Sequence, residues 1–588
     1  MTIPRRPCLA ALALLVYAAL AVLFSAHTWQ DPFHVTSGGN GDPNVAMWFI
    51  GWDAYSASHP LLNPFFTDFL DHPEGINLLW NAARWTQNLM VAPVDLHFGP
   101  VLAYNVSQVL ALGLSGWTAY LAITALVRNR WAAFAGGLLY EFSPYMLGHA
   151  PVHSDYIFMP SPPLALLLFH RLATDSRATP WRWGVALGLL GAFQFMATEE
   201  VAMTMAITTM LGLALLALAR VATREQVLRF SQAIGVALAV AAVLLAAPIG
   251  YQFFGAAVLH GDFHGVGLYE TDLLGFVIPT STLAAYPVSI TGFADHFGGG
   301  PNENTAYFGI PFLVLLGYTA WRWRDRLLVR WSATMLLVVA VLSMGSLLQA
   351  GGRIWLFPLP WLIFQFLPIF GSILTARLMV FAYLMAAVLL AWFIARLASF
   401  SPRGRVTGGL LLLVVAVSLL PRAPLTPYPR LVPAFFTGSG VTLVSGETVL
   451  VAPFSADPGL LKNPPWEVSN PMLWQSASGM AYKMPDGYVW RQSPHGTPQA
   501  GPLETQTQDL MTGISRFGSY PTLCPSDREH IFAELRHWDI QAVVVGPMGK
   551  RAKMEEFFTD LLGTPPEEVQ GVALWAKIPS TPPPGAGC

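Results

Sequence analysis

The chain has 588 residues, of which 54% are hydrophobic and 11% are charged. An ordinary soluble domain carries about 25% charged residues, so this composition excludes a soluble protein and predicts a polytopic membrane protein. A formal net charge of -2 argues against a nucleic-acid partner, and three cysteines are too few for a disulfide scaffold. Only Cys524 and Cys588 are placed to pair, because Cys8 falls in the first apolar stretch.

Apolar stretches long enough for transmembrane helices recur up to residue 421. A helix of about 20 residues crosses a hydrocarbon core of about 30 Å. The first stretch follows Arg5 and Arg6 and lacks a clear cleavage site, which predicts an uncleaved signal anchor, with a cleaved signal peptide as the alternative. We predict about eleven spans, at 8–26, 100–127, 131–148, 160–173, 183–198, 201–219, 231–254, 306–320, 329–348, 377–396 and 406–421.

The arginines test this arrangement independently, because short cytoplasmic loops are rich in Arg and Lys. With the amino terminus inside, seventeen arginines of the first 421 residues fall on the inner side. Only Arg84, Arg353 and Arg377 fall outside, and no lysine precedes Lys462. The pattern predicts a cytoplasmic amino terminus and an outer carboxyl-terminal segment.

The first outer loop, 27–85, contains Asp42 within Gly-Asp-Pro-Asn, directly before an aromatic stretch that predicts an interfacial helix. Asp42 has two interpretations. It caps the helix that begins near Asn44, as Asp commonly does before a helix, or it is a reactive carboxylate at the membrane surface. The surrounding Trp, Phe and His residues of this large loop favour the second interpretation.

Glu199 and Glu200 form the turn between two predicted spans. The 36 residues from Gly184 to Ala219 give about 54 Å of helix, which is barely two membrane crossings. The turn therefore lies at or slightly below the outer boundary, where acidic groups normally face a cavity or a cation. A solvated turn is the alternative interpretation.

Two other outer segments carry polar residues of interest. His149, His153 and Asp155 could bind a phosphate, but Pro151 opposes the helix that a pair of metal-binding histidines four residues apart would need. We therefore predict no metal ligand set. Arg377 opens a predicted span and suits an anionic lipid head group, since its guanidinium is a planar fork of donors, with a snorkelling anchor as the alternative.

The composition changes after Pro421 to a mixed, charged and Pro-rich sequence. Short β-like runs alternate there with helical stretches, which predicts a small α/β domain outside the membrane. The predicted organisation is a transmembrane domain at 1–421 and an extracytoplasmic domain at 422–588. Glu303, at the start of the eighth span, is predicted to cap a helix or to line a pocket.

The chain resembles the GT-C superfamily of polyprenyl-phosphate-sugar-dependent glycosyltransferases and, within it, the YfhO-like group of bacterial multi-spanning proteins. The resemblance rests on the architecture and on five short segments, at 41–42, 71–77, 140–145, 303–307 and 474–479. It implies a GT-C-like protein of the bacterial plasma membrane. The implied reaction is an inverting transfer of a sugar from a polyprenyl-phosphate donor to a glycan, lipid or protein hydroxyl at the extracytoplasmic face.

The resemblance also implies roles for individual residues. Asp42 matches the first-loop catalytic base, Asp155 or Glu199 the second acidic position, and Arg377 or Arg84 the contact to the lipid phosphate. Pro43 departs from the paired acids of many relatives, so a divalent cation is left open and no cofactor is predicted firmly. The remaining expected substrate-binding residues are Glu200, His153 and Glu303.

Two other classes of protein remain as alternatives. A secondary transporter or lipid or glycan flippase would place charges near the middle of the membrane on repeated, broken helices, whereas these acidic residues gather at one face without an internal repeat. A non-catalytic envelope assembly protein would use the carboxyl-terminal domain to bind partners and would need no enclosed acidic cavity.

Overall fold

The computed structural model describes residues 7–39, 41–81, 84–175, 179–220, 223–265, 267–367, 370–455, 470–501 and 505–584. Arg5, Arg6, Arg177 and Lys462, which entered the topology prediction, lie outside these ranges. The chain divides into two compact units. The first unit consists of Met1–Gln30, Ser107–Ala246 and His264–Thr426, and the second of Asp31–Val106, Ala247–Phe263 and Pro427–Cys588.

A helix forms at each of the eleven apolar stretches. The segment predicted as one span over 131–148 forms two helices, because Pro144 cannot continue the preceding helix and the Ser143 hydroxyl accepts from the Met146 N–H at 3.4 Å to cap the next one. The helices are Pro7–Phe24, Pro100–Val127, Arg130–Glu141, Pro144–His149, Ser161–Thr174, Pro180–Ala197, Glu199–Leu218, Arg224–Phe254, Gly309–Arg322, Leu327–Ser343, Met379–Leu397 and Pro402–Ser418.

Four helices in the described ranges are long and apolar enough to cross a membrane, which agrees with a membrane protein. They are Pro100–Val127, Glu199–Leu218, Arg224–Phe254 and Thr375–Leu397. Two further apolar helices, Cys8–Phe24 and Leu327–Ser343, are shorter. The count of about eleven membrane crossings, and the side on which each loop lies, stay predictions.

The first unit is organised around the helix Met379–Leu397. Its residues from Met379 to Phe393 are all buried, as expected for a helix that is apolar on every side. It packs against Leu327–Ser343 and Arg130–Glu141. The second contact is close because Gly136 has no side chain: a Cβ atom there would lie 3.0 Å from the Ala387 carbonyl oxygen.

The second unit is built on a four-stranded sheet in the order Glu567–Val569, Val572–Trp575, Ile540–Val545, Thr448–Ala452. The last two strands are parallel and the other pairs are antiparallel. Alternate side chains of Thr448–Ala452 enter different cores, Leu450 on one face and Val449 on the other. The first face is covered by the helices Gln506–Phe517, Pro525–His537 and Arg551–Leu562.

The other face of this sheet is covered by the helices Asp42–Ser58 and Asn470–Ala477. The side chains of Trp48 and Trp52 are stacked with ring centres 6.0 Å apart and are almost completely buried. These aromatic residues are therefore core residues, and the prediction of an interfacial helix is wrong here. The aromatic composition did not distinguish the two cases, because large rings suit a buried layer as well as a membrane surface.

Residues 31–85 of the predicted first outer loop thus belong, with the residues up to 106, to the same compact unit as residues 427–588. One connection between them is the strand Val35–Ser37, which pairs antiparallel with Pro427–Pro429. The second unit also contains the helices Trp85–Phe98 and Ala434–Thr437. The other two-stranded pairs of the chain are Phe66–Thr67 with Ile76–Asn77, Leu347–Ala350 with Arg353–Pro358, and Trp490–Gln492 with Pro498–Ala500.

Candidate active site

Arg377 is the centre of a buried charged cluster in the first unit. Its Nε and Nη2 atoms donate to Glu303 Oε1 at 3.1 and 2.6 Å, and its Nη1 donates to Glu200 Oε2 at 2.7 Å. The three side chains are 12%, 4% and 17% exposed, respectively. A charge at this depth is costly unless it is paired, so the two carboxylates stabilise the guanidinium and fix its orientation.

Backbone and aromatic groups position this cluster. Glu200 lies in the first turn of Glu199–Leu218, where the helix dipole favours a carboxylate. Its Oε1 accepts from the Leu374 N–H at 2.9 Å, and its Oε2 accepts from the Tyr156 hydroxyl at 2.6 Å. The ring of Tyr156 also lies 3.8 Å from the guanidinium carbon of Arg377, a cation–π contact that holds the guanidinium from a second direction.

Two histidines adjoin Glu303. The Nδ1 atoms of His149 and His153 lie 3.1 Å apart, so one donates to the other. His149 Nε2 lies 3.8 Å from Glu303 Oε2, and His153 Nδ1 lies 3.9 Å from Glu303 Oε1. Burial lowers the pKa of His149 to about 3. Burial also raises the pKa of Glu303, but the Arg377 guanidinium outweighs this effect and holds that pKa at about 2.

The turn between these histidines corrects the sequence argument against them. The helix Pro144–His149 does end before Pro151, as expected, but the following turn still brings His153 back to His149. A continuous helix was therefore not needed. One ligand atom each from His149, His153 and Glu303 lie within 4.8 Å of one another, a spacing at which a metal ion could be held.

An apolar cavity of about 420 Å³ lies in the first unit on the same two helices that carry Glu200 and Arg377. Met205 and Gly212 of one helix line it, together with Phe381 and Leu384 of the other. At 1.5 Å per residue, the cavity begins about one helical turn beyond each charged residue. Along both helices, the charged residue of the cluster therefore comes first and the residues that line the apolar cavity follow it.

Asp42 lies in the second unit, as the half-buried first residue of the helix Asp42–Ser58. The helix is capped by Gly41, at φ 84°, so the interpretation of Asp42 as the cap is wrong. The turn before it is held by Arg430, which is 2% exposed. The Arg430 guanidinium donates to Thr36 Oγ1 at 2.8 Å, to Asn44 Oδ1 at 2.9 Å and to the Gly39 carbonyl oxygen at 2.6 Å.

Arg84 is the second predicted site residue in this unit. It is buried and directly precedes the helix Trp85–Phe98. The neighbouring Asn88 donates to Asp53 Oδ2 at 2.8 Å. Burial raises the pKa of Asp53 to about 8, while Asn88 and Arg84 act in the opposite direction.

Residues 10–420 match a protein family described as a domain of unknown function, DUF6311. The match covers more than half of the sequence. The chain belongs to the DUF6311 family. No curated protein matches it.

The fold of this DUF6311 chain is similar to that of the arabinofuranosyltransferase AftD from Mycobacteria. One AftD structure matches with a TM-score of 0.50 and 16% identity over 96% of this chain and 40% of AftD. A mutant AftD structure gives a TM-score of 0.53 and 14% identity over 96% of this chain and 41% of AftD. The DUF6311 chain thus spans about two fifths of the length of AftD. The likeness confirms the GT-C-like fold, while the finer resemblance to the YfhO-like group stays a prediction.

The fold of the DUF6311 chain brings together four of the predicted site residues in the first unit, namely Glu200, Glu303, Arg377 and His153. Asp155 is buried in the short helix Ser154–Ile157, beside Tyr156, and Glu199 is the half-buried first residue of Glu199–Leu218.

Sequence reasoning missed Tyr156 and Arg430. Tyr156 could have been found from its position directly after Asp155, whereas no local signal marks Arg430.

Proposed function

We propose that this protein transfers a sugar from a polyprenyl-phosphate-linked donor to a hydroxyl acceptor at the extracytoplasmic face of the membrane, with inversion at the sugar. The observation that carries the proposal is the buried cluster of Arg377, Glu200 and Glu303, next to an apolar cavity on the same two helices. The fold likeness to AftD, which its name describes as an arabinofuranosyltransferase, supports the same reaction class.

The cluster and the cavity match the two parts of such a donor. A polyprenyl chain is apolar and would occupy the cavity beside Met205 and Phe381. Its phosphate would lie about one helical turn away, near Arg377. Three of the five N–H groups of this guanidinium donate to carboxylates, which leaves two for a phosphate oxygen. Arg84 is the other proposed phosphate contact.

Asp42 is the proposed general base. The acceptor hydroxyl attacks the anomeric carbon, and the bond between that carbon and the phosphate oxygen breaks, with the electron pair leaving on the polyprenyl phosphate. The acceptor proton goes to Asp42, whose place in the first turn of a helix stabilises the reactive carboxylate. General-base help of this kind contributes about 10²- to 10⁴-fold. Asp155 and Glu199 are proposed to orient the sugar and the acceptor.

The proposed location outside the cytoplasm has one support in the second unit. Cys524 is disulfide-bonded, and disulfides persist in oxidising compartments. Cys588, the partner that the sequence allows, lies outside the described residues. A cytoplasmic amino terminus and an extracytoplasmic second unit are therefore part of the proposal, together with a glycan, lipid or protein acceptor.

The test is transfer by the full chain in proteoliposomes supplied with polyprenyl-phosphate arabinofuranose or, separately, with polyprenyl-phosphate hexoses. Release of polyprenyl phosphate that depends on a cell-envelope acceptor fraction is the measurement. Asp42→Asn should lower the rate by about 10²- to 10⁴-fold. Asp31→Asn, the same change at an exposed aspartate of the same unit, should leave it unchanged. Equal rates for both variants would remove Asp42 from its proposed role.

A further inference from the structure

The imidazole of His149 has an unused nitrogen at a buried position. Its side chain is 0% exposed, and Nε2 has no hydrogen-bond partner among the residues that the structure describes. A buried polar atom without a partner costs about 1–3 kcal/mol, so such an atom needs a partner such as a water molecule, an ion or a substrate group. Nε2 faces Glu303 Oε2 across 3.8 Å, which is too long for a hydrogen bond.

The Glu303 carboxylate has lone pairs that could bind a further positive group. Its Oε1 accepts from Arg377 at 2.6 and 3.1 Å, whereas its Oε2 accepts from Arg377 Nε at the longer distance of 3.3 Å. A carboxylate offers about four lone-pair sites, so Oε2 can face a further positive group. His153 also lies near this carboxylate, with Nδ1 at 3.9 Å from Oε1.

These three residues have the separations of a metal ligand set. Their ligand atoms lie within 4.8 Å of one another. A point between three atoms about 3.8 to 4.8 Å apart is roughly 2.2 to 2.8 Å from each, and zinc binds imidazole nitrogen and carboxylate oxygen at about 2.0 to 2.2 Å. Side-chain movements of up to about 0.8 Å would complete the coordination. If His153 Nδ1 is the ligand atom, its bond to the metal would replace its hydrogen bond with His149 Nδ1.

We propose that His149, His153 and Glu303 bind a divalent cation of the transition series, with Zn²⁺ as the best match. Two imidazoles and one carboxylate are ligands that zinc commonly uses, and three protein ligands leave one position open for a substrate oxygen. Arg377 would not bind the metal itself. Its hydrogen bonds would orient the Glu303 carboxylate that does.

The cation would also change the sign of the charge in the cluster. Glu200 and Glu303 bring two negative charges to the single positive charge of Arg377, so these three side chains have an excess of one negative charge when ionised. A phosphate would be repelled by that excess. A divalent cation turns it into an excess of one positive charge. This step rests on the proposed function, because it assigns to the metal the binding of the donor phosphate.

The experiment is titration of the metal-stripped full chain, in detergent micelles, with Zn²⁺ alone and with Mn²⁺ alone, followed by calorimetry and by elemental analysis of the bound metal. We expect one Zn²⁺ per chain. His149→Gln should weaken its affinity at least about tenfold. His97→Gln, a change at an exposed histidine that bonds a backbone carbonyl, should bind as the unchanged chain does.

Glu303→Gln should weaken binding as well, but it also disturbs Arg377, so His149→Gln with an unchanged unfolding temperature is the deciding variant. Failure of the unchanged chain to bind stoichiometric metal, or equal affinity in the two histidine variants, would overturn the metal site. Neither titration contains a sugar donor. A chain that binds Zn²⁺ but transfers no sugar would overturn the proposed function and leave this site standing.

Discussion

Arg377 in the first unit and Arg430 in the second are both buried guanidinium groups, but they have different partners. Arg377 donates to two carboxylates, Glu200 and Glu303. Arg430 donates to three uncharged oxygen atoms and lies 4.5 Å from the ring centre of Tyr428. Burial lowers the pKa of Arg430 to about 10, which still leaves it charged at neutral pH.

The different partners indicate different roles. Arg377 belongs to a charged site, whereas Arg430 fixes the backbone of a turn, and we call Arg430 with its three acceptors the backbone clamp. Carboxylate partners change the net charge around the guanidinium, and a carboxylate can also bind a metal ion. Uncharged partners such as the Gly39 carbonyl oxygen fix the path of the chain and leave the charge of the arginine in place. We infer that Arg377 serves the chemistry of the first unit and that Arg430 positions the turn that precedes Asp42.

Removal of the Arg377 guanidinium should have the largest effect. Arg377→Met leaves two carboxylates without their cation, and breaking a buried ion pair costs about 3–5 kcal/mol. Unfolding of the purified chain, followed by circular dichroism during heating, is the measurement. The double variant Arg377→Met, Glu303→Gln should recover part of the loss, because it removes one of the two stranded charges. An equal loss in the single and double variants would mean that the pairing is not what stabilises this region.

Removal of the Arg430 guanidinium should have a smaller effect on stability. Arg430→Met deletes three hydrogen bonds from a charged donor, and leaving their acceptors unpaired costs about 1–3 kcal/mol in total, since nearby water can replace some of them. The turn before Asp42 should loosen, so sugar transfer should fall while Zn²⁺ binding stays unchanged. Arg516→Met, at an exposed arginine of the same unit, is the matched control. Loss of metal binding in Arg430→Met would contradict the separation of the two roles.

The first unit was largely predictable because its signals are local. Apolar runs give the helices directly, and the predicted stretch 377–396 contains most of the observed helix Met379–Leu397. The topology prediction had already assigned Glu200, Glu303 and Arg377 to one membrane face, where buried charges must find each other. Their contact in the structure agrees with that reasoning, although their chemical roles stay proposals.

The second unit was harder to predict because its defining contacts are distant in sequence. Arg430 and its partner Asn44 are separated by 386 residues, and Val35–Ser37 pairs with a strand nearly 400 residues later. No local pattern specifies such pairing. The composition change at Pro421 therefore marked a boundary but could not show that residues 31–106 pack with the carboxyl-terminal sheet.

The smallest effect should come from the glycine that precedes Asp42. Gly41 has φ 84° and ψ -112°, a backbone conformation that a residue with a Cβ atom adopts at a cost of about 1–3 kcal/mol. Because the first turn of Asp42–Ser58 can relax locally, Gly41→Ala should lower the free energy of unfolding by less than this full cost and by less than Arg430→Met does. The relaxed turn should reduce sugar transfer several-fold. Gly39→Ala is a matched control, because a Cβ atom at Gly39 has no atom within 4 Å. If both variants transferred sugar equally well, the geometry of this turn would not matter to the reaction, and the clamp formed by Arg430 would be needed for stability alone.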